Sequence, residues 1–423
     1  MTESDTGTPG LLRRWALYDF ANSAFPTVIQ TFIFAAYFTR QVAPDPITGS
    51  ALWGTAIGLS GLLVAVLSPI LGAIADQGGG IRAWLIGTTA LCVLPTAALW
   101  WITPHSPYLI TALVLVGTAA LGMELASVFY NSLLPRLAPV ERLGRWSGWG
   151  WGLGYAGGLG CLLLALFGLV SEDAWWPLPR GDASHVRATF VLAAVWFAVF
   201  SLPLLTARLP GPQLRRRLEL GKSLGSLWHT LRGLTWRSPL LRFLIARMLY
   251  SDGLATLFAF GGVYAAGSFA MDESQVLAFG IGLNITAGLG AVVFAPLDDR
   301  LGSRNTIALA LVGLLLAGAG TLLAQSSTGF WIAGLALGIF VGPAQAASRT
   351  LLARVAPPEQ RAQVFGLFSL SGKATAFLGP MLVGWVTFGS GSQRIGMAVI
   401  LVLWLVGLGL LLTLPADRPG ARE

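Results

Sequence analysis

Leu133 to Gly148 reads LLPRLAPVERLGRWSG, and Leu351 to Gly366 reads LLARVAPPEQRAQVFG. The two stretches align without a gap and share Leu-Leu, Arg, Ala-Pro, Glu and the closing Gly. Each follows a long apolar run. A second pair of loops repeats at matching places: GAIADQGGGIR, Gly72 to Arg82, and APLDDRLGSR, Ala295 to Arg304. Aligning Asp76 with Asp299 also aligns Gly79 with Gly302. Two independent matches divide the chain into related halves. Internal repetition in a membrane chain points to a transporter whose binding site lies at the repeat interface, near the bilayer midplane.

Composition places the chain in the membrane. Of 423 residues, 55% are hydrophobic and 11% charged, against about 25% charged in soluble domains. Apolar runs of about 20 residues suffice to cross a hydrocarbon core of about 30 Å. We read spans at 15–39, 52–75, 83–103, 108–132, 146–170, 188–207, 239–266, 275–297, 305–325, 329–350, 363–387 and 394–414. The first is too long and too polar for a signal-peptide core and is read as retained. The expected fold is therefore all-α and integral to the membrane, with about twelve transmembrane helices in two pseudo-symmetric six-helix bundles. Residues 1–208 form the first bundle, 209–238 a basic cytoplasmic linker with the run LRRRLELGKS, and 239–423 the second bundle.

The net charge of +8 is a topology signal. Arg13, Arg14, Arg82, Arg136, Arg142, Arg145, Arg215, Arg216, Arg217, Lys222, Arg232, Arg237, Arg300, Arg304, Arg354, Arg361, Arg418 and Arg422 fall on one side of this span pattern. Arg40, Arg180, Arg187 and Arg394 fall on the other. The excess of loop cations marks the cytoplasmic face and puts both termini there. No basic patch stands beside exposed aromatics, so nucleic acid is not an expected partner. Cys92 and Cys161 lie in separate spans, and His105, His185 and His229 are isolated. No metal and no cofactor is expected.

Further motifs carry a resemblance. They are LYDFANSAF in the first span, FYNSLLPRLAP closing the fourth, GYAGG in the fifth and LYSDGLAT in the seventh. The last is QAASRTLLARVAP, which leads into FGLFSLSGKATAFLGP. With the repeated G-x-x-x-D-x-x-G-like loops, the chain resembles the major facilitator superfamily. Within it, the chain resembles the branch of autophagy-related vacuolar effluxers and their bacterial relatives, along nearly its whole length. One departure is visible. The family pattern places an acidic residue before the Phe-Gly that opens the eleventh span, and here the stretch is Gln363-Val364-Phe365-Gly366. The resemblance implies transport, implies that spans 1, 4, 7 and 10 line a central cavity, and associates the fungal members with release of vacuolar amino acids.

Polar residues sort onto those spans. Asp19, Asn22, Ser23, Pro26 and Gln30 recur at helical spacing on one face of the first. The fourth carries Glu124, Ser127 and Asn131; the seventh Arg247, Tyr250, Ser251, Asp252 and Thr256; the tenth Gln345 and Ser348; the eleventh Ser369 and Lys373. At about 1.5 Å of rise per residue, Lys373, Asp252, Glu124 and Gln30 fall near mid-depth, and Asp19 and Asn22 nearer the cytoplasmic mouth. Each charge at that depth costs about 2.5–3.5 kcal/mol on insertion scales. Such charges either neutralise one another as packing pairs or line a cavity. The expected substrate cavity is Asn22, Gln30, Glu124, Asp252, Gln345 and Lys373. Asp19, Glu124 and Asp252 are the candidates for proton coupling. A cation and a carboxylate together suit an amino acid, which offers the opposite of each.

Asp76, Gly79, Asp299 and Gly302, with Arg247, are read as a gate. If the superfamily architecture holds, each loop carboxylate lies near the start of a helix from the opposite half, where about half a positive charge stabilises it by about 0.3–2 kcal/mol. The glycine-dense GWGWGLGYAGGLG, Gly148 to Gly160, suits close helix packing. Trp15, Trp53, Trp84, Trp100, Trp101, Trp175, Trp176 and Trp331 fall near span ends and read as interface anchors. Phosphate-cradling and H-E-x-x-H motifs are missing, so neither an ATP-driven pump nor an enzyme is expected. The expected function is secondary active transport of a small solute by alternating access: an amino acid or similar small zwitterion or anion, with proton-coupled efflux as one mode. The expected setting is a multi-pass monomer of the plasma (inner) membrane. The alternatives are an exporter of sugars, drugs or lipids, or a transport-fold sensor.

Overall fold

The computed structural model describes residues 8–105, 107–210 and 220–415. Arg215, Arg216, Arg217, Arg418 and Arg422, counted above among the loop cations, lie outside them, as does part of the expected linker. Among the described residues the chain is helical, with no strand. The first seven helices are α1 (Thr8–Asn22), α2 (Phe34–Tyr37), α3 (Pro46–Gly78), α4 (Ile81–Ala98), α5 (Leu109–Leu137), α6 (Leu143–Ala165) and α7 (Ser184–Leu205). Then come α8 (Leu220–Gly233), α9 (Pro239–Phe269), α10 (Glu273–Leu301), α11 (Ser303–Leu323) and α12 (Ser327–Val355). The last three are α13 (Arg361–Lys373), α14 (Leu378–Ser390) and α15 (Gln393–Leu412).

Ten helical stretches among the described residues are long and apolar enough to cross a bilayer, at the places expected for the second to tenth spans and the twelfth. The first and eleventh expected spans differ, because each is interrupted. α1 stops at Asn22, and π-helical turns follow over Phe25–Phe32 and Phe38–Val42. Pro26 has no N–H to return to the Asn22 carbonyl, which ends the regular ladder. The wider turns show in the Ile33 N–H, which bonds the Val28 carbonyl five residues back at 3.0 Å. The single polar face expected at regular spacing from Asp19 to Gln30 therefore changes register beyond Asn22. In the eleventh span α13 ends at Lys373, residues 374–377 form turns, and α14 restarts at Leu378. Pro380, third in α14, cannot donate to Ala376 and its ring excludes that carbonyl. The helix can begin there but cannot run through.

Contacts divide the chain into two compact units. One comprises the described parts of Met1–Leu67, Gly78–Leu137 and Leu153–Leu218; the other comprises Ser68–Gln77, Ala138–Gly152 and Glu219–Glu423. α3 and α6 thus contribute to both.

The first unit is built on aromatic packing and glycine contacts. Trp15 is fully buried, stacks on Tyr130 at 4.7 Å and donates its indole N–H to the Tyr130 carbonyl at 3.1 Å. The Tyr130 hydroxyl donates back to the Trp15 carbonyl at 3.0 Å. Trp15 is therefore a core residue joining α1 to α5, and its reading as an interface anchor is corrected. Its indole finds a partner in the neighbouring helix, so it has no need of the headgroup layer. Trp101, Trp175 and Trp176 are exposed. Along α6, methyl groups added at Gly157 and Gly158 would overlap the Phe20 carbonyl and Thr27 Oγ1. α6 and the first span approach backbone to backbone, as small-residue packing allows.

The second unit uses the same device. A methyl at Gly290 would overlap the Ile339 carbonyl, and one at Gly342 the Ala287 carbonyl, which seats α10 on α12. The glycine that closes each repeat does the same work twice. Gly366 of α13 lies against the Ser68 carbonyl of α3, and Gly148 of α6 against Ala291 and Ala295 of α10.

Candidate functional site

The repeated loop carboxylates lie at helix starts. Asp76 accepts the amide hydrogens of Ala362, at 3.1 Å, and Gln363, at 2.8 Å, in the first turn of α13. Asp299 accepts those of Gly144, at 2.8 Å, and Arg145, at 3.2 Å, in the first turn of α6. These amides have no intrahelical acceptor, so a carboxylate there satisfies orphan donors and offsets the helix dipole. The loops turn through Gly79 (φ 70°), Gly80 (φ 69°) and Gly302 (φ 83°), backbone that a side chain would strain.

Around Asp299 lies a network that reading the sequence missed. Asp298 is buried, accepts the Ser303 hydroxyl at 2.6 Å and sits 3.5 Å from Arg354. Arg354 also reaches Asp299 at 3.8 Å, and Arg145 lies 3.6 Å from the same carboxylate. The doubled acid Asp298-Asp299, facing the arginine shared by both repeats, was the signal available. Arg349 was missed as well. It is buried nearly two turns inside the end of α12, donates to the Ser147 hydroxyl and carbonyl at 2.9 and 2.6 Å, and lies over Trp151. A cation inside an apolar run was its signal.

The interrupted eleventh span gathers three of the expected site residues. Arg247 of α9 donates to the Phe368 carbonyl at 2.6 Å and the Ser371 hydroxyl at 2.8 Å, with its guanidinium 3.4 Å from the Phe368 ring centre. It thereby places a cation against the C-terminal half of α13, toward the negative end of the helix dipole. Five residues along α9, Asp252 places a carboxylate at the opposite pole. Its Oδ2 accepts the Gly379 N–H at 3.0 Å, in the first turn of α14. Asp252 is 3% exposed, and its Oδ1 has no hydrogen-bond partner among the described residues. Lys373 is the last residue of α13, half-buried beside the gap. Gly379 fits because a methyl there would collide with Thr256 Oγ1, itself held by the Asp252 carbonyl at 2.7 Å. On α12, Gln345 is half-buried, and Ser348 hydrogen-bonds the hydroxyl of Tyr250 of α9 at 2.6 Å.

In the first unit, Asp19 and Asn22 are buried near the end of α1, while Gln30 in the π-helical turns and Glu124 on α5 are half-buried. Ser23 donates to the Asp19 carbonyl at 2.9 Å. Among the described residues, no group of three or more His, Cys, Asp or Glu side chains is placed to hold a metal ion.

The pattern described as vacuole effluxer Atg22 like matches residues 41–142 and 139–423. The chain belongs to that family. It is a multi-pass membrane transporter of the major facilitator superfamily, in the Atg22-like branch. The uncharacterized MFS-type transporter YxiO of Bacillus subtilis (strain 168) is 24% identical over 413 residues, 95% of this chain and 94% of that one. Autophagy-related protein 22 of Cryptococcus neoformans var. neoformans serotype D (strain JEC21) is 24% identical over 306 residues, 66% of this chain. The match spans about half, 51%, of that fungal protein. Among solved structures, the proton:xylose symporter XylE superposes with a TM-score of 0.76 at 14% identity, over 97% of both chains. The human organic anion transporter MFSD10 does so at 0.74 and 18% identity, over 96% of this chain and 100% of that one. At these identities the likeness is one of fold.

Proposed function

We propose that this Atg22-like transporter moves an amino acid, or a similar small zwitterion or anion, by alternating access, with proton-coupled efflux as its working mode. The observation that carries the reading is Asp252. A buried intramembrane carboxylate with one oxygen unpartnered among the described residues, beside a helix interruption that Lys373 borders and with Arg247 on the same helix, offers a seat for an ammonium or a proton. Asn22, Gln30, Glu124, Gln345 and Lys373 are the proposed further contacts to the cargo. Asp19 and Glu124 stand with Asp252 as candidates for the coupling proton. Asp76, Gly79, Asp299, Gly302 and Arg247 are the proposed gate. The proposed setting is the plasma (inner) membrane, with a monomer as the working unit and both termini in the cytoplasm. The domain bounds we propose are 1–208, 209–238 and 239–423.

The test is uptake of a labelled amino-acid mixture by the purified chain in liposomes, with and without an imposed proton gradient. Gradient-dependent accumulation above protein-free vesicles is the expected result. No accumulation in either condition, from protein shown to be folded and inserted in both orientations, would remove amino acids as cargo.

A further inference from the structure

The segment ahead of the seventh expected span holds helix α8 (Leu220–Gly233), which contributes none of the proposed cargo contacts. Helix α8 has three faces. Ser223, Ser226, Leu227 and Thr230 form one, and it is docked: Ser223 and Leu227 are buried, and Ser226 and Thr230 half-buried. The Ser226 hydroxyl donates to Gln363 Oε1 at 3.3 Å, Gln363 Nε2 donates to Thr230 Oγ1 at 2.6 Å, and the Thr230 hydroxyl donates to Gln360 Oε1 at 3.3 Å. Gln77 Nε2 donates to the Lys222 carbonyl at 3.2 Å. Gln77 lies in the last turn of α3, and Gln360 and Gln363 lie at the start of α13. The helix is thus pinned at the level where two apolar spans end.

The second face is a ridge of Leu224, Trp228 and Leu231, which are 47%, 57% and 40% exposed. The third is polar: Lys222, Gly225, His229 and Arg232, all exposed. At 3.6 residues per turn the three faces stand roughly 120° apart. The Arg232 guanidinium sits 4.8 Å from the Trp228 ring centre, at the boundary of ridge and polar face. A large apolar ridge bordered by Arg232, with Lys222 on the polar face, on a helix fixed at span-end height, matches a surface that is apolar below and anionic above.

We propose that α8 is a membrane-surface helix. Its Leu224–Trp228–Leu231 ridge enters the acyl boundary of the adjoining leaflet, and Lys222 and Arg232 engage the phosphates of anionic lipids. Gln363 ties this helix to the start of α13. Its backbone N–H is held by Asp76 and its side chain by α8. Lipid charge sensed at α8 is thereby in direct contact with the start of α13.

The test uses the full chain in vesicles of phosphatidylcholine alone or with phosphatidylglycerol. A nitroxide is attached at Trp228→Cys or, on the polar face, at His229→Cys. Native Cys92 and Cys161 are buried. Relaxation by oxygen and by a water-soluble nickel complex reports depth. The expected result places the label at 228 about 5–10 Å below the phosphates, leaves that at 229 in water, and draws the label at 228 deeper when phosphatidylglycerol is present. Lys222→Gln with Arg232→Gln is expected to abolish that dependence on lipid charge. Equal exposure of both labels to the nickel complex would overturn the proposal. So would spin–spin broadening at 228 that disappears on dilution with unlabelled protein, because a second copy would then cover the ridge. Depth indifferent to lipid charge in the unsubstituted polar face would overturn the anionic assignment.

Discussion

Asp252 accepts one bond from Gly379 and, among the described residues, has no partner for its other oxygen in a buried setting. Two substitutions separate its packing role from its charge. Asp252→Asn retains an acceptor for the Gly379 amide and removes the charge. It is expected to melt close to the unsubstituted protein while gradient-driven uptake in liposomes falls about tenfold or more, a barrier change of roughly 1.4 kcal/mol. Asp252→Ala removes the acceptor as well and is expected to lose about 0.5–2 kcal/mol of stability in addition, as other helix-start acceptors do. Asparagine with full gradient-driven uptake would exclude Asp252 as the proton seat. At this scale the sequence was only partly legible. Residue type and depth singled out Asp252, Arg247 and Lys373 as charges in an apolar setting. Their partners were not legible, because the Gly379 amide becomes available only where a helix is broken, and the pairing of Arg247 with Phe368 joins residues 121 apart in the chain. The stretch Gln363-Val364-Phe365-Gly366 showed as a departure, but the side-chain partners of Gln363 lie in α8, more than 130 residues away in the chain.

Helices were the easier objects to foresee, since long apolar runs leave little choice in a solvent that cannot satisfy open backbone. What periodicity could not show was interruption. Pro26 was visible, but the π-helical turns it initiates depend on how the flanking helices hold the chain, and Pro380 drew no attention in an apolar run. Close packing through the glycines of α6 was legible from their density, and it sets a sharp contrast. Gly157→Ala should destabilise the chain by about 1–3 kcal/mol, because the added methyl meets the Phe20 backbone. Gly87→Ala in α4 meets nothing within 4 Å and should be neutral or stabilising by up to about 1 kcal/mol. Thermal melting of the two variants side by side checks this. Equal melting points would mean that the α6 contact is looser than its geometry.

The repeat is the feature of the whole molecule that was readable from the start. The stretches at 133–148 and 351–366 precede or enter the two helices whose first turns are held by Asp299 and Asp76. If these carboxylates are latches, neutralising them should loosen what they hold. Ser68 is fully buried, and its carbonyl lies against Gly366. A cysteine placed at Ser68 should react several-fold faster with a water-soluble maleimide in an Asp76→Asn background than in the parent. Asp299→Asn should do the same for a cysteine at Ser147, which is also buried. Unchanged reactivity at both places would leave the carboxylates as static caps. The pairing of each carboxylate with one helix start was foreseeable only through the resemblance to a known architecture, whereas the supporting cluster of Asp298, Arg354 and Arg145 needed coordinates.

The two charges that α9 brings to the eleventh span sit about 7.5 Å apart along a single helix axis, one on each side of a gap with no regular backbone ladder of its own. α9 therefore works as a splint across a fracture. Turning or sliding it would pull both ends of the gap at once, so α13 and α14 should follow α9 as a single body rather than bend independently at residues 374–377. If the splint loosens during the transport cycle, the amide hydrogens of that short segment should exchange with heavy water in step with the cycle, while those of α9 itself stay protected.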